Sequence, residues 1–112
     1  MPRLVGRGRA LKLILSGEVI DASEAYRIGL VDELVPDAHL IERAETVLKK
    51  IMANAPLSVK YSLEAVNKGL ETSMAEGLLL EASLFAVCAS TDDKKEGTSG
   101  FIEKRSPNFR GK

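Results

Sequence analysis

Residues 74–90, MAEGLLLEASLFAVCAS, form the most apolar stretch of the sequence, and a helix-start signal precedes them. Ser73 and Glu76 have the spacing of a capping box, in which each side chain bonds the other residue's backbone N–H. The stretch is apolar almost all the way round a helix. A chain of this size would leave one face of such a helix in water, where a large apolar patch is costly. The stretch therefore predicts a helix that another chain or another domain covers.

Further helix signals lie on both sides of this stretch. Pro2 and Gly17 bound a predicted helix over residues 2 to 16, and Asp21 and Gly29 bound a shorter one. An amphipathic helix is expected after residue 37, with its apolar stripe formed by Leu40, Ala44, Val47, Leu48, Ile51 and Met52.

A second set of signals completes the pattern. Pro56 begins the next predicted helix, whose inner face would carry Val59, Leu63, Val66 and Leu70. A final helix is expected from the Asp93–Glu96 pair to about Arg105. Only residues 31–36 could form a short extended segment. The pattern predicts an all-α chain of five or six helices forming one domain over residues 1–112.

The composition restricts the classes of function. The 112 residues carry sixteen Lys and Arg against sixteen Asp and Glu, so the net charge gives no general attraction to nucleic acid or anionic membranes. No apolar run approaches the roughly 20 residues that span a bilayer. A single cysteine excludes an internal disulfide and is consistent with a reducing compartment, so the expected location is cytoplasmic.

Few residues have the context that catalysis needs. His39 is the only histidine, and its position near a helix start favours a solvated role. Cys88 lies in the most apolar helix and is expected to be a buried, inert thiol. Carboxylate pairs such as Asp92 with Asp93 are expected to serve as caps or helix surface. One His with one Cys cannot fill a zinc site, and no catalytic or metal-binding residue is predicted.

Two features leave a binding role open. Positive charge on the first helix indicates either a solvated face or a phosphate contact, and it comes from Arg3, Arg7, Arg9 and Lys12. Phe101 and Lys104 are three residues apart, so on a helix they would present an aromatic surface beside a positive charge. The alternative is a packed aromatic ring next to a surface lysine, and the spacing does not decide between them.

Several stretches together resemble the C-terminal third of the enoyl-CoA hydratase/isomerase (crotonase) superfamily. They are PRLVGRGRALKLILSGEVIDASEAYRIGLVDELVP (2–36), NAP (54–56) and TDDKKEGTSGFIEKRSPNF (91–109). The resemblance runs in order along all 112 residues. It implies the C-terminal helical domain, which serves for trimerisation and as a lid, of a crotonase-like α/β fold whose other part is a ββα spiral.

The resemblance also implies a function and a set of binding residues. The parent would be an enoyl-CoA hydratase-like enzyme acting on a coenzyme A thioester without a further cofactor, as a trimer or a dimer of trimers. Phe101 and Lys104 match an aromatic and a basic residue that face the CoA in the family, and Phe85 matches an aromatic on the acyl side. Gly97 and Gly100 would let the last helix lie close to its neighbour.

The same resemblance places the catalytic machinery outside these residues. The family's oxyanion hole and acid–base carboxylates lie upstream of the position matching Met1, so the isolated 112 residues are expected to be inactive. An isomerase, hydrolase or decarboxylase parent stays open, because this domain does not fix the reaction. A different class of function is a stand-alone, non-catalytic helical association module, and RNA binding is a more distant alternative.

Overall fold

Helix-forming segments and helix stops alternate along the chain, and the folded structure is all-helical. The computed structural model describes all 112 residues. The α-helices, in chain order, are α1 (Pro2–Val5), α2 (Arg7–Ser16), α3 (Ala22–Arg27), α4 (Leu40–Met52), α5 (Pro56–Gly69), α6 (Met74–Ala89) and α7 (Asp92–Glu103). A 3-10 turn, Asp37–His39, precedes α4. The all-α prediction is confirmed.

The number of helices differs from the expected five or six. Gly6 has a φ of 82°, which only glycine adopts at little cost, so the expected first helix divides into α1 and α2. Residues 31–36 form no strand, because no second extended segment is available to pair with them. The segment therefore adds no strand to the all-α chain.

The helix ends follow the capping signals of the sequence. The Asp21 carboxylate accepts the Glu24 N–H at 2.7 Å, which caps α3. At α6 the Ser73 hydroxyl accepts the Glu76 N–H at 3.3 Å, and Glu76 accepts the Ser73 N–H at 3.1 Å. Both orphan donors are therefore satisfied, and the predicted capping box is confirmed.

The chain divides into two compact units, Met1–Ala44 and Glu45–Lys112, with the boundary inside α4. In the first unit a small buried cluster contains Val5, Ala10 and Ile28, and three partly buried residues surround it: Leu13, Ile20 and Leu30. This cluster joins α1, α2 and the end of α3.

In the second unit α5 packs against α6, and little apolar side-chain surface is buried. The helices approach closely where α5 ends and α6 begins: a Cβ on Gly77 would lie 3.5 Å from the Gly69 Cα. The expected inner face of α5 is open, since Leu63, Val66 and Leu70 are all exposed. The prediction that these three residues form the inner face was therefore wrong for this chain, since the less exposed positions of α5 include Tyr61 and Ala65.

Candidate functional site

An open apolar groove runs along the second unit, with a volume of about 1490 Å³. Its walls come from α5, α6, α7 and the residues that follow α7. Phe85 of α6 and Phe101 of α7 both line it, and they are 73% and 85% exposed. Cys88 also lines the groove and is only half-buried, so the expectation of a fully buried thiol was wrong. The structure thus brings two of the three predicted binding residues to one surface.

Lys104, the third predicted binding residue, lies outside the helix. α7 ends at Glu103, before the expected Arg105, and Lys104 adopts the left-handed conformation with a φ of 54°. The Arg105 N–H bonds the Gly100 carbonyl at 3.0 Å and the Lys104 N–H bonds the Phe101 carbonyl at 3.3 Å, which is a Schellman motif. Phe101 and Lys104 therefore do not share a helix face, because the chain turns between them.

This conformation of Lys104 is unusual for a residue with a side chain. Every other positive φ in the chain belongs to a glycine. A left-handed L-residue costs about 1–2 kcal/mol, so neighbouring interactions must hold the corner in place. The ammonium group of Lys104 forms no ion pair. The corner thus presents a free positive charge at the end of α7.

The residues after this corner, 105–112, form a segment that we call the strap, and it folds back along α7. Asp93 holds its far end: one carboxylate oxygen accepts the Arg110 N–H and the other accepts the Gly111 N–H, each at 2.7 Å. The Asp93 N–H in turn donates to the Lys112 carbonyl at 3.0 Å. Asp93 is only 3% exposed and is the one buried charged residue of the chain.

Glu96 holds the near end of the strap. Its two carboxylate oxygens accept from the Arg105 guanidinium at 2.6 and 3.0 Å, and it also accepts the Asn108 N–H at 2.7 Å. Arg105 and Glu96 thus form a bidentate pair, the geometry in which arginine binds carboxylates best. The hydrogen bonds from Arg105, with that from the Asn108 backbone, lower the pKa of Glu96 from 4.5 to about 2.

The two glycines of α7 provide the surface on which the strap lies. A Cβ on Gly97 would be 3.3 Å from Cε1 of Phe109, and one on Gly100 would be 3.2 Å from the Arg105 carbonyl oxygen. The sequence predicted that these glycines let α7 lie close to a neighbouring element. In the structure the strap of the same chain makes this close contact. Phe109, seated on Gly97, also lines the groove.

Sequence reasoning missed the strap, since it treated Asp93 and Glu96 as the start of a helix. The actual N-cap is Thr91, whose hydroxyl accepts the Lys94 N–H at 3.1 Å. A signal was present: Asp93, Gly97 and Gly100 lie on one face of α7, because their spacing is four and then three. A carboxylate beside a bare glycine face can bind a backbone segment that lies on that face.

We expect the lowered pKa of Glu96 to give a defined pH dependence. The group is more acidic in the folded chain, so its contribution to stability is present above its unfolded pKa of 4.5 and is lost as the pH falls through about 2. Urea unfolding between about pH 5 and about pH 2 measures this loss. In Glu96→Gln the part of the pH dependence that belongs to this carboxyl should be absent; an identical profile in both proteins would contradict the assignment.

The remaining candidates do not line the groove. His39 is exposed in the 3-10 turn, with Nδ1 3.3 Å from a Glu42 carboxylate oxygen, as expected for a solvated histidine. No three His, Cys, Asp or Glu residues are grouped so as to hold a metal ion. No single helix is long and apolar enough to cross a membrane; α6 and α7 meet that test only as a pair bent by 75°.

The comparisons with known proteins agree with the sequence resemblance. The family model described as enoyl-CoA hydratase/isomerase matches residues 1–112. Among curated proteins, a crotonyl-CoA hydratase of Syntrophomonas wolfei is 39% identical over 112 residues, which are 100% of this chain and 43% of the relative. A short-chain-enoyl-CoA hydratase of Clostridium acetobutylicum is 42% identical over 94% of this chain and 40% of the relative.

Solved structures give the same result. The crystal structure of an enoyl-CoA hydratase from Bacillus anthracis superposes with a TM-score of 0.97 at 39% identity, over 99% of this chain and 43% of that one. One from Geobacillus kaustophilus has a TM-score of 0.95 at 35% identity, over 99% of this chain and 42% of that one. The chain belongs to the enoyl-CoA hydratase/isomerase (crotonase) family, and it spans less than half the length of these relatives.

Proposed function

We propose that these residues act in an enzyme that adds water to the double bond of 2-enoyl-CoA thioesters. The observation that carries the proposal is the match to proteins named crotonyl-CoA hydratase and short-chain-enoyl-CoA hydratase, over 100% and 94% of this chain. The part proposed for residues 1–112 is that of the C-terminal helical domain. It contributes contacts between subunits of a trimer or a dimer of trimers and a lid over the thioester.

The exposed apolar surfaces support the proposed contacts. Phe85 and Phe101 are more than two-thirds exposed, and the exposed faces of α5 and α6 add Leu63, Val66 and Leu79. Apolar side chains gain about 25 cal/mol per Å² when they leave water, so surfaces of this kind favour association. In the proposed assembly the rest of the enzyme and neighbouring subunits cover most of this area, and the two rings border the thioester.

In this proposal the positive charge of Lys104 attracts the phosphate groups of CoA. Its ammonium is unpaired at the corner after α7, and CoA carries several phosphate groups that attract such a charge. An aromatic ring nearby suits the adenine or the pantetheine arm, and Phe101 is the exposed ring of the last helical turn. No cofactor beyond the thioester substrate is part of the proposal.

The test uses the native protein, captured from its cells with an antibody to residues 91–112 and assayed with crotonyl-CoA. Loss of the thioester's enoyl absorbance, with formation of the 3-hydroxyacyl product, is the expected result. Conversion of the substrate to an isomer, a free acid or a decarboxylated product would replace hydration by another reaction of the family. Absence of any reaction and of CoA binding would favour the alternative of a non-catalytic association module, which the exposed apolar faces also suit.

Replacing Lys104 by Glu is expected to weaken binding of crotonyl-CoA in a salt-dependent manner. The phosphate contact would be strongest at low ionic strength, where the Debye length is about 30 Å at 0.01 M, and weak near 1 M salt. The KM of Lys104→Glu should therefore exceed that of the wild type more at low salt than at high salt. Lys50→Glu is the control, because Lys50 is exposed on α4 and does not line the groove. Equal KM values for Lys104→Glu and wild type at both salt concentrations would show that Lys104 makes no phosphate contact.

A further inference from the structure

The corner at Lys104 lies between two anchored segments. On one side are the last turn of α7 and Gly100, whose carbonyl accepts the Arg105 N–H. On the other side is the strap, which Glu96 holds through Arg105 and Asn108. Lys104 is thus in a left-handed conformation that its own side chain disfavours, between the Schellman bonds to α7 and the Arg105–Glu96 pair.

Asp93 completes the closure at the far end of the strap. Both of its oxygens accept from backbone N–H groups, and its own N–H donates to the Lys112 carbonyl. Its burial makes these bonds stronger than they would be in water, since few water molecules compete for the carboxylate. A Cβ on Gly111 would lie 3.8 Å from the Pro56 ring, so the strap reaches the first turn of α5.

We infer that Asp93 is a positioning residue for thioester binding: by locking the strap onto α7, it fixes the direction from which Lys104 and Phe109 are presented to the CoA thioester. This inference rests on the proposed function. Asp93 itself touches no substrate in this scheme. Its effect passes through the strap, which determines both the corner at Lys104 and the seat of Phe109 on Gly97.

The test compares Asp93→Asn with Asp92→Asn in the native protein. An asparagine keeps one acceptor oxygen and turns an amide NH₂ toward the second backbone N–H, so the strap loses a bond and gains a repulsion. Asp92 is the matched control, because it adjoins Asp93 on α7 but is exposed and pairs only with Lys95. The first readout is hydrogen exchange at the Arg110 and Gly111 amides. We expect it to become at least about tenfold faster in Asp93→Asn alone.

The second readout separates positioning from general stability. We expect Asp93→Asn to raise the KM for crotonyl-CoA about tenfold and to leave kcat within about twofold, since binding and not chemistry is affected. Faster exchange with an unchanged KM would make Asp93 a structural residue only, and unchanged exchange would show that it does not lock the strap; either result overturns the inference. If Asp93→Asn folds poorly, Phe109→Ala is the second variant, because it leaves every carboxylate in place. We expect it to raise the KM for crotonyl-CoA as well.

Direct binding keeps this test separate from that of the proposed reaction. The dissociation constant of CoA, measured by calorimetry, is expected to rise with KM in Asp93→Asn and to stay constant in Asp92→Asn. If the wild type binds CoA but does not hydrate crotonyl-CoA, the proposed reaction fails while the positioning inference is still decided by these dissociation constants. If the wild type binds no CoA, both fail.

Discussion

Ile28→Ala is expected to lower the free energy of unfolding by about 2–5 kcal/mol, the range for removing most of a buried aliphatic side chain. Ile28 is 6% exposed and lies in the buried cluster of the first unit with Val5 and Ala10. That cluster is the only one in the chain, so few apolar side chains are close enough to move into the cavity that the substitution leaves. Small domains have only about 5–15 kcal/mol in total, which makes this loss a large fraction.

Urea unfolding of the protein followed by circular dichroism measures the effect. Ile41→Ala is the matched control, since Ile41 is 70% exposed and the same atoms are removed from a surface position. Its expected effect is within about 0.5 kcal/mol. Equal destabilisation by the two substitutions would show that the cluster at α1, α2 and α3 is not the core that its burial indicates.

Gly97→Val is expected to lower the free energy of unfolding by about 1–3 kcal/mol, the usual cost of overpacking. A Cβ at this position already comes to 3.3 Å from the Phe109 ring, and the two methyl groups of valine extend further. The ring must move away, and the strap that carries it must loosen. Faster hydrogen exchange of the strap amides should accompany the lower stability.

Gly8→Val separates this crowding from the preference of valine for a helix. Gly8 lies inside α2, and a Cβ there would meet nothing within 4 Å. Glycine is a poorer helix former than valine, so Gly8→Val should be neutral or slightly stabilising, within about 0.5 kcal/mol. If the two substitutions had the same effect on unfolding, the contact between Gly97 and Phe109 would carry no energy.

Local signals predicted most of the helices and their ends. The Ser73–Glu76 box, the Asp21 cap and the left-handed Gly29 all take the conformations that their spacing indicates. These features depend on hydrogen bonds between residues three or four apart, so the neighbouring sequence is sufficient to specify them. Gly6 is the exception, because either a weak helix interior or a break is compatible with glycine.

The strap could not be predicted in this way. The bonds from Asp93 to Arg110 and Gly111 join residues 17 and 18 positions apart, and the Glu96–Asn108 bond spans 12. A carboxylate near a helix start has several possible partners, and the sequence does not say which backbone segment will arrive. Lys104 shows the consequence: its spacing from Phe101 indicated a shared helix face, whereas the returning strap turns the chain between them.

The sequence by itself determined the all-α class, the capped helix ends and the family, since these follow from residue type and short spacing. It also indicated that α6 is too apolar to be covered within so short a chain. Only the tertiary structure decided that α1 and α2 are separate, that the buried cluster lies in the first unit, and that the strap closes on α7. The reason is physical: long-range contacts are selected by the shapes and hydrogen-bonding groups that folding brings together, which no local pattern contains.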